Sequence, residues 1–332
     1  MTYEPTSMGL LAPIQQWLED PNVSEILLNR PHEIFVEKNH QMLRYPVPQF
    51  DTITLNRLFQ LIANENHQTL NAEKPMLSGS LLDGTRVQLI LPPVAKHHSF
   101  AIRRKVVRRV SLRNYREQAY YQNTTNFLLK KNTADSLSED DQKLLSLYKK
   151  KSWDSFIQAA LALKKNIVIS GATSSGKTTF LNACLREVSR DDRLILLEDT
   201  REIEVPHRNQ VQLLASKGEQ SIAKVCMQDL LQCSLRLRPD RIIVGEVRGK
   251  EILDFVSACA TGHQGSLTSI HASNPKIAFM RMSQMYKLNH VPAMSDQDIL
   301  RELHEVVDVI LQLSNTNGSR HLDSVYYKYG HC

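Results

Sequence analysis

The eight residues 171–178 constrain the fold of this chain more than any other stretch. They read Gly-Ala-Thr-Ser-Ser-Gly-Lys-Thr and match the pattern G-x-x-x-x-G-K-[ST] of a phosphate-binding loop. The short apolar run 166–170 precedes them, and residues 178–188 follow with apolar side chains at helical spacing. A strand, this loop and a helix in that order predict the P-loop of an α/β domain with a mainly parallel sheet.

Phosphate chemistry explains the residue types of the loop. Glycine lets backbone N–H groups curl around phosphates, and the N-terminus of the next helix adds the positive end of a dipole. We expect Lys177 to reach the β- and γ-phosphates of ATP and the Thr178 hydroxyl to bind Mg²⁺. The predicted nucleotide-binding residues are Gly171, Ala172, Thr173, Ser174, Ser175, Gly176, Lys177, Thr178 and Thr179.

The composition bounds the class of protein. A length of 332 residues suits two domains, and 42% hydrophobic with 23% charged residues is typical of a soluble protein. No apolar run approaches the length of about 18 residues that a membrane span needs, and the first residues lack a secretory-signal pattern. The five cysteines form no C-x-x-C pair, which indicates reduced cytosolic thiols and no zinc site. A net charge of +6 permits contact with an anionic membrane surface or nucleic acid.

The spacing of apolar residues divides the chain into three segments. We expect residues 1–112 to form an α+β domain, with a small antiparallel sheet and helices. Residues 113–152 are polar and predict a charged linker with a short helix, although a surface helix within one domain is the alternative. Residues 153–332 alternate strands and helices, which predicts an α/β domain with a mainly parallel sheet. Because this domain carries the P-loop, we expect it to resemble a RecA-like P-loop ATPase domain.

Individual elements follow from the same patterns. In the first segment we predict strands at 25–28, 34–37, 42–45 and 100–103, helices at 10–18 and 55–63, and a hairpin over 81–91 that turns at Asp83-Gly84. In the third segment we predict strands at 194–197, 242–244 and 266–270, helices at 222–237, 251–260 and 277–288, and a closing hairpin of 307–313 and 324–327 around Asn317-Gly318.

Acidic side chains end two of these strands, at the edge where a doubly wound sheet binds its ligand. The Glu198-Asp199 pair can hold Mg²⁺ through water or polarise a water, and capping of the next element is the alternative. Glu246 ends the next strand in a Walker B pattern and can orient or deprotonate the attacking water. Gly245 stands at the usual aspartate position, so we expect Thr178 and Glu198 to supply the metal contacts.

A third stretch, residues 261–272, reads Thr-Gly-His-Gln-Gly-Ser-Leu-Thr-Ser-Ile-His-Ala. His271 stands at a strand end, where an imidazole can sense the nucleotide, and a satisfied surface histidine is the alternative. His263 and His271 could suggest a metal pair. No third ligand follows at metal spacing, so we do not expect a metal there.

Together these four stretches resemble the Walker A, Asp box, Walker B and His box of the secretion ATPase superfamily, which powers type II and type IV secretion and type IV pili. The resemblance covers residues 160–290 well, and covers the N-terminal segment more loosely through 84–91 and 101–103. The chain is most similar to the traffic ATPase of type IV secretion. Thr200 replaces the proline usual in pilus and type II members, the four-cysteine insertion of type II members is missing, and the chain is compact.

The resemblance implies a homohexamer that hydrolyses ATP at the cytoplasmic face of the inner membrane and powers substrate export or pilus biogenesis. Its implied partners are inner-membrane components of a secretion machine, with an anionic membrane surface as a further contact. It also implies that ATP lies between the domains and that Arg86 and Arg103 reach the phosphates, whereas solvated arginines on strands are the alternative. The implied catalytic residues are Glu246, Glu198, Lys177, Arg103, Arg86 and His271.

Two other functions stay open at the level of sequence. A pilus-retraction motor would use the same chemistry on a different client. An ATP-dependent nucleic-acid-binding protein is suggested by the basic run 103–109, followed by Arg113 and Arg116. That run alternates charged pairs with valines and has only Tyr115 nearby for stacking, so we do not expect nucleic acid as a direct sequence-specific partner.

Overall fold

The structure, a computed structural model, describes residues 6–39, 41–104, 110–129, 137–215, 225–291, 294–316 and 318–332. The chain divides into two compact units. The first comprises Met1–Val107, Asp199–Arg201 and Ala215–Cys226, and the second comprises Arg108–Glu198, Glu202–Leu214 and Met227–Cys332. Within the described ranges, no helix has the length and apolar character needed to cross a membrane.

An antiparallel sheet of six strands forms the first unit. Its elements are α1 (Ser7–Leu10), α2 (Gln15–Glu19), β1 (Val23–Leu28), β2 (Glu33–Lys38), β3 (Gln41–Pro46), α3 (Thr52–Glu65), β4 (Met76–Ser80), β5 (Arg86–Ile90) and β6 (Ser99–Arg103). The strands lie in the order β3-β2-β1-β6-β5-β4, and every pairing is antiparallel. The predicted α+β fold of this part of the chain is therefore confirmed.

Local sequence explains the helices of this unit. Asp51 caps α3 by accepting the N–H of Thr54 at 2.7 Å, and α3 buries one apolar face that includes Leu58 and Phe59. The helix predicted at 10–18 differs from the structure, which has α1, a 3₁₀ turn at Ala12–Ile14 and α2 in its place. Pro13 lies in that turn, and proline has no N–H for a continuing helical hydrogen bond.

A sheet of eight strands forms the second unit. The strands are β7 (Thr125–Phe127), β8 (Ile167–Gly171), β9 (Leu194–Glu198), β10 (Gln210–Leu214), β11 (Arg241–Val244), β12 (Leu267–Ile270), β13 (Val309–Thr316) and β14 (Ser319–Tyr327). The helices are α4 (Leu112–Glu117), α5 (Glu139–Lys149), α6 (Trp153–Ala162), α7 (Lys177–Glu187), α8 (Met227–Ser234), α9 (Glu251–Ala260), α10 (Pro275–Lys287) and α11 (Asp296–Val306). The strand order is β10-β9-β11-β12-β8-β13-β14-β7. Only the β13–β14 hairpin is antiparallel among these pairings of described strands.

Burial on both faces explains the apolar sequences of the central strands. Every residue of β8, β9, β11 and β12 is buried, as expected of parallel strands covered by helices on both sides. β8 lies between β12 and β13, so the loop that follows it leaves the middle of the sheet. The carboxyl ends of β9, β11 and β12 lie at the same edge, because parallel strands end together. This architecture confirms the predicted α/β fold.

The described residues of the predicted linker, 113–152, pack within the second unit. Tyr120 stacks on Phe180 of α7 with ring centroids 5.7 Å apart, and β7 pairs with β14. Leu144 and Tyr148 of α5 are buried in the same core. The sequence did not predict these contacts, because the residues that each of these segments packs against lie far away in the chain.

Apart from residues 130–136 of the predicted linker, three predicted local features lie partly outside the described residues. They are the basic run at residues 105–109, the start of the helix at 222–224 and the turn residue 317. The neighbouring described residues form α8, β13 and β14.

Candidate active site

The P-loop has a backbone that two glycines make possible. β8 ends at Gly171, where an added Cβ would lie 2.4 Å from Ser175 Oγ and 2.9 Å from the Leu313 carbonyl oxygen. Gly176 has a φ of 90° and caps the N-terminus of α7. A side chain is therefore excluded by space at the first glycine and disfavoured by conformation at the second.

The other predicted loop residues lie between β8 and α7 or in the first turn of α7. Ala172, Thr173 and Ser174 are exposed, whereas Ser175 is buried and donates its hydroxyl hydrogen to the Ala172 carbonyl oxygen at 2.9 Å. Thr179 is half-buried in the first turn. The helix N-terminus therefore follows directly on an exposed loop, which is the geometry that binds phosphate.

Lys177 is buried and folded onto its own loop. Its Nζ donates to the carbonyl oxygens of Gly171 at 3.0 Å and Ala172 at 3.2 Å. The same Nζ lies 3.1 Å from Nδ1 of His271, which follows β12. The structure therefore brings together the Walker A lysine and the His-box histidine, which are 94 residues apart.

Glu246 and His271 form the next contact of the site. His271 Nε2 lies 2.9 Å from Glu246 Oε1, although the alignment is not that of a hydrogen bond. Arg248 Nη2 donates to the other carboxylate oxygen at 2.7 Å. The sequence prediction did not include Arg248. Its position two residues after Glu246 was the feature of the sequence that pointed to it. These contacts join a lysine, a histidine, a carboxylate and an arginine in one row.

The surroundings keep the imidazole of His271 neutral. Burial lowers the pKa of His271, and the positive charges of Lys177, Arg248 and Arg281 lower it further, while Glu246 acts in the opposite direction. A neutral imidazole can accept a hydrogen bond at one ring nitrogen and donate at the other. His271 can therefore accept from Lys177 through Nδ1 and face the Glu246 carboxylate through Nε2.

The Asp box adds an acidic residue that the sequence prediction did not include. Thr178 Oγ1 donates to Glu202 Oε2 at 3.1 Å, which places Glu202 beside the predicted metal ligand. Glu198 is buried, and its Oε1 accepts the N–H groups of Glu202 and Ile203, both at 2.7 Å. Glu198 thus binds the backbone of the turn that carries Glu202. This is the contact expected if Glu198 caps the element that follows its strand. The signal for Glu202 was its position within the same acidic stretch.

Both predicted arginines lie in the first unit. Arg86 begins β5, and its Nη2 lies 3.6 Å from the carboxylate of Asp199, which belongs to the same unit. Arg103 ends β6 with half of its side chain exposed, and its Nε lies 4.0 Å from Glu25. Their reach to the phosphates stays a prediction.

Comparison with known proteins identifies the family of this chain. The model of the family described as type II/IV secretion system protein matches residues 9–319. The chain belongs to this family. It is 34% identical over 326 residues to the type IV secretion system protein VirB11 of Brucella suis biovar 1, with 96% of this chain and 89% of that protein covered. It is 32% identical over 315 residues to the VirB11 protein of Agrobacterium fabrum, with 94% and 90% covered.

Solved structures of similar proteins share the fold. The VirB11 ATPase from the Brucella suis type IV secretion system, in complex with sulphate, is 32% identical with a TM-score of 0.55, covering 99% of this chain and all of that one. The pilus retraction motor PilT with bound ADP has a TM-score of 0.60 at 18% identity, covering 98% and 83%, which shows the fold alone. The predicted resemblance to the type IV branch of the family is confirmed by the VirB11 relatives.

Proposed function

We propose that this chain is the ATP-hydrolysing motor of a type IV secretion system. The meeting of Lys177, His271 and Glu246 beside a P-loop carries the proposal. Three separate segments supply these side chains, and together they provide a cation for phosphate oxygens and a carboxylate for water. Membership of a family with ATPase members supports nucleotide use.

Each group has a distinct task in this proposal. Lys177 leaves the carbonyl oxygens of its loop and neutralises the β- and γ-phosphates. Glu246 orients the attacking water and accepts its proton, since a carboxylate at hydrogen-bond distance is a suitable base. His271 lies between them and responds to the γ-phosphate, which is the group that distinguishes ATP from ADP. Arg248 holds one oxygen of Glu246, so the other oxygen faces the site.

The Thr178 and Glu202 side chains fit a magnesium ion. Hydroxyl and carboxylate oxygens are the ligands that Mg²⁺ takes, together with waters and phosphates. We propose that Thr178 and Glu202 hold the ion and that Glu198 contributes through water. When bound, Mg²⁺ neutralises charge on the phosphates. Glu202 thereby joins the pair predicted from sequence.

The assembly and partners are part of the same proposal. We propose a homohexamer at the inner membrane, coupled to inner-membrane components of the secretion machine, with the anionic membrane surface as a further contact. The coupling uses Arg86 and Arg103, which would respond to the γ-phosphate when nucleotide binds. Support for the link to a secretion machine comes from the VirB11 relative of Brucella suis, whose name assigns that protein to a type IV secretion system.

Gene deletion tests the motor and its client together. We expect deletion to abolish effector export or plasmid transfer and to leave twitching motility unchanged. Complementation with the wild-type gene should restore the lost output, and Lys177→Ala should not, because its P-loop lacks the phosphate-binding cation. Loss of twitching alone would make the chain a retraction motor, and no change in any output would refute a role in these machines.

A further inference from the structure

The β13–β14 hairpin brings an arginine against the P-loop. Leu313 of β13 pairs with Gly171 at the end of β8, so the rest of the hairpin continues beside the loop. Arg320, at the start of β14, donates its Nε–H to the Ser174 carbonyl oxygen at 3.1 Å. This bond joins the centre of the phosphate-binding loop to an element 146 residues away.

The loop residues beneath Arg320 have an unusual backbone. Ser174 has a φ of 61° and Gly176 a φ of 90°, both in the left-handed region. Residues other than glycine adopt this region at a cost, so serine needs support from its surroundings to stay there. The Arg320 side chain also covers Gly176, since a Cβ added at that glycine would lie 3.4 Å from Arg320 Cδ. One side chain therefore bonds to one left-handed position and lies beside the other.

We propose that Arg320 is a positioning residue that holds the P-loop in its phosphate-binding conformation. This inference rests on the proposed function, because it concerns nucleotide binding at the same loop. A guanidinium that donates to a carbonyl makes a charge-assisted hydrogen bond, which is stronger than a neutral one. A loop held in this way before the nucleotide arrives loses less conformational freedom on binding, so affinity rises.

The position of the contact determines which kinetic constant should change. Arg320 bonds to the loop through the Ser174 carbonyl oxygen, and it does not touch Lys177 or Glu246 among the contacts of the described residues. The P-loop binds phosphates that ATP and ADP share. Holding the loop should therefore raise the affinity for ATP and for ADP about equally. The rate of the chemical step should not change, because such uniform binding stabilises the ground state and the transition state alike.

Nucleotide titration of the full chain tests this role. Fluorescently labelled ADP and a non-hydrolysable ATP analogue are titrated into wild type, Arg320→Ala and Arg320→Lys, and KM and kcat are measured with ATP. We expect Arg320→Ala to raise both dissociation constants and KM by about 10-fold, the effect of one hydrogen bond to a charged group, while kcat is retained. Arg320→Lys should recover part of the affinity, because an ammonium can still donate to one carbonyl.

Arg301→Ala is the matched control. It removes the same charge from the same unit at an exposed site on α11, where Arg301 Nη1 lies 3.7 Å from Asp298. Thermal melts without nucleotide establish whether each variant is folded. If Arg320→Ala is unfolded, Arg320→Met replaces it in the test, because methionine keeps most of the side-chain length but has no N–H donor. The control should bind both nucleotides as wild type does.

Three results separate this inference from the proposed function. Wild-type affinity of a folded Arg320→Ala for both nucleotides overturns the inference alone. Weakened binding of the ATP analogue with normal ADP affinity and a lower kcat also overturns it, because the arginine would then contact the γ-phosphate directly. Failure of the wild-type chain itself to bind or hydrolyse ATP refutes the proposed function, whatever the variants do.

Discussion

At the scale of single residues, the candidate site is a row of charges in which each group is held by the next. Lys177 contacts His271, His271 faces Glu246, and Arg248 binds the far oxygen of Glu246. The side chain of Glu246 is mostly buried, which limits competition from bulk water. The protonation of His271 therefore depends on the charged groups around it.

Glu246→Gln should separate binding from chemistry. The amide has nearly the shape of the carboxylate but cannot accept a proton, and a positioned base contributes roughly 10²–10⁴-fold. We therefore expect ATP binding to be retained and turnover to fall by at least about 10²-fold. Labelled-ATP binding and phosphate release measure the two properties. Turnover near that of wild type would show that Glu246 is not the base, and Glu202 or Glu198 would then be the candidate.

Glu202→Gln should change the response to magnesium. An amide binds Mg²⁺ more weakly than a carboxylate, so more Mg²⁺ should be needed for half-maximal ATPase activity. Glu198→Gln is the comparison, because its carboxylate holds two backbone N–H groups. We expect that variant to lower thermal stability more than Glu202→Gln does. If Glu202→Gln has a normal Mg²⁺ response and Glu198→Gln has a shifted one, the metal ligands are Thr178 and Glu198, as predicted from the sequence.

The lowered pKa of His271 predicts a loss of stability in acid. The folded chain keeps this imidazole neutral, whereas the unfolded chain protonates it near its usual pKa of 6.5. Stability should therefore be constant above that pH and should decline as the pH falls from it through the folded-state pKa. Melts of the nucleotide-free chain at pH 7.5 and 5.5 measure the decline. It should be smaller in His271→Gln, and an equal decline in both proteins would assign the effect to other groups.

At the scale of elements, one buried arginine fixes the Walker B strand to its surroundings. Arg241 begins β11 with only 2% of its side chain exposed. Its Nε donates to Asp192 at 2.6 Å, and its Nη2 donates to the Leu161 carbonyl oxygen at 2.9 Å. Gly265 leaves room for this guanidinium, since an added Cβ would lie 2.7 Å from Nη1. The amino end of β11 is thereby tied to α6 and to the loop before β12.

Arg241→Met should destabilise the second unit strongly. Removing one partner of a buried ion pair costs about 3–5 kcal/mol, and we expect the lower end because Lys164 still lies 3.7 Å from Asp192. Urea unfolding measures the free energy. Arg113→Met removes an exposed arginine that pairs with Glu117 one helical turn away, and should cost less than about 0.5 kcal/mol. Equal effects of the two substitutions would contradict the importance of the buried pair.

At the scale of the whole molecule, the described residues within 113–152 pack in the second unit. The second unit begins near residue 108, and its core includes Tyr115, Tyr120 and Tyr148. A fragment that starts at residue 153 would expose the surfaces that these side chains cover. The fragment 110–332 keeps them, so it is the appropriate piece for asking what the first unit contributes.

Arg103 should link the first unit to catalysis. We expect Arg103→Ala to lower turnover by about 10³-fold, the effect of an arginine finger, and Arg103→Lys to rescue little because an ammonium lacks the bidentate fork. The fragment 110–332, which lacks Arg103, should fold and show the same loss of turnover as Arg103→Ala. ATPase assays and thermal melts measure both. Ordinary turnover in the substituted full chain would exclude the first unit from catalysis.

Mixed assemblies then test which subunit the arginine serves. Arg103→Ala and Lys177→Ala chains are each defective, so activity in a mixture requires a good P-loop and a good arginine at one site. If Arg103 serves a neighbouring subunit, mixing should restore part of the activity. If it serves its own subunit, every site keeps a defect and the mixture should stay inactive.

The sequence by itself determined the kind of fold and the centre of the site. The P-loop, the Walker B glutamate and the His box are short local patterns, and buried strands alternate with helices in an order that predicts a parallel sheet. Local spacing suffices for these features because the residues of each motif act as neighbours in the chain. The comparisons confirmed the family that these motifs indicated.

The tertiary structure alone decided which distant side chains meet. It placed Glu202 at Thr178, Arg320 at Ser174, and the aromatic residues of the predicted linker against α7. None of these contacts has a local pattern, because the order of strands in the sheet and the direction of each side chain determine them. The sequence around a charged or aromatic residue does not show whether its side chain faces solvent or packs against another segment. Only the tertiary structure distinguishes these two environments.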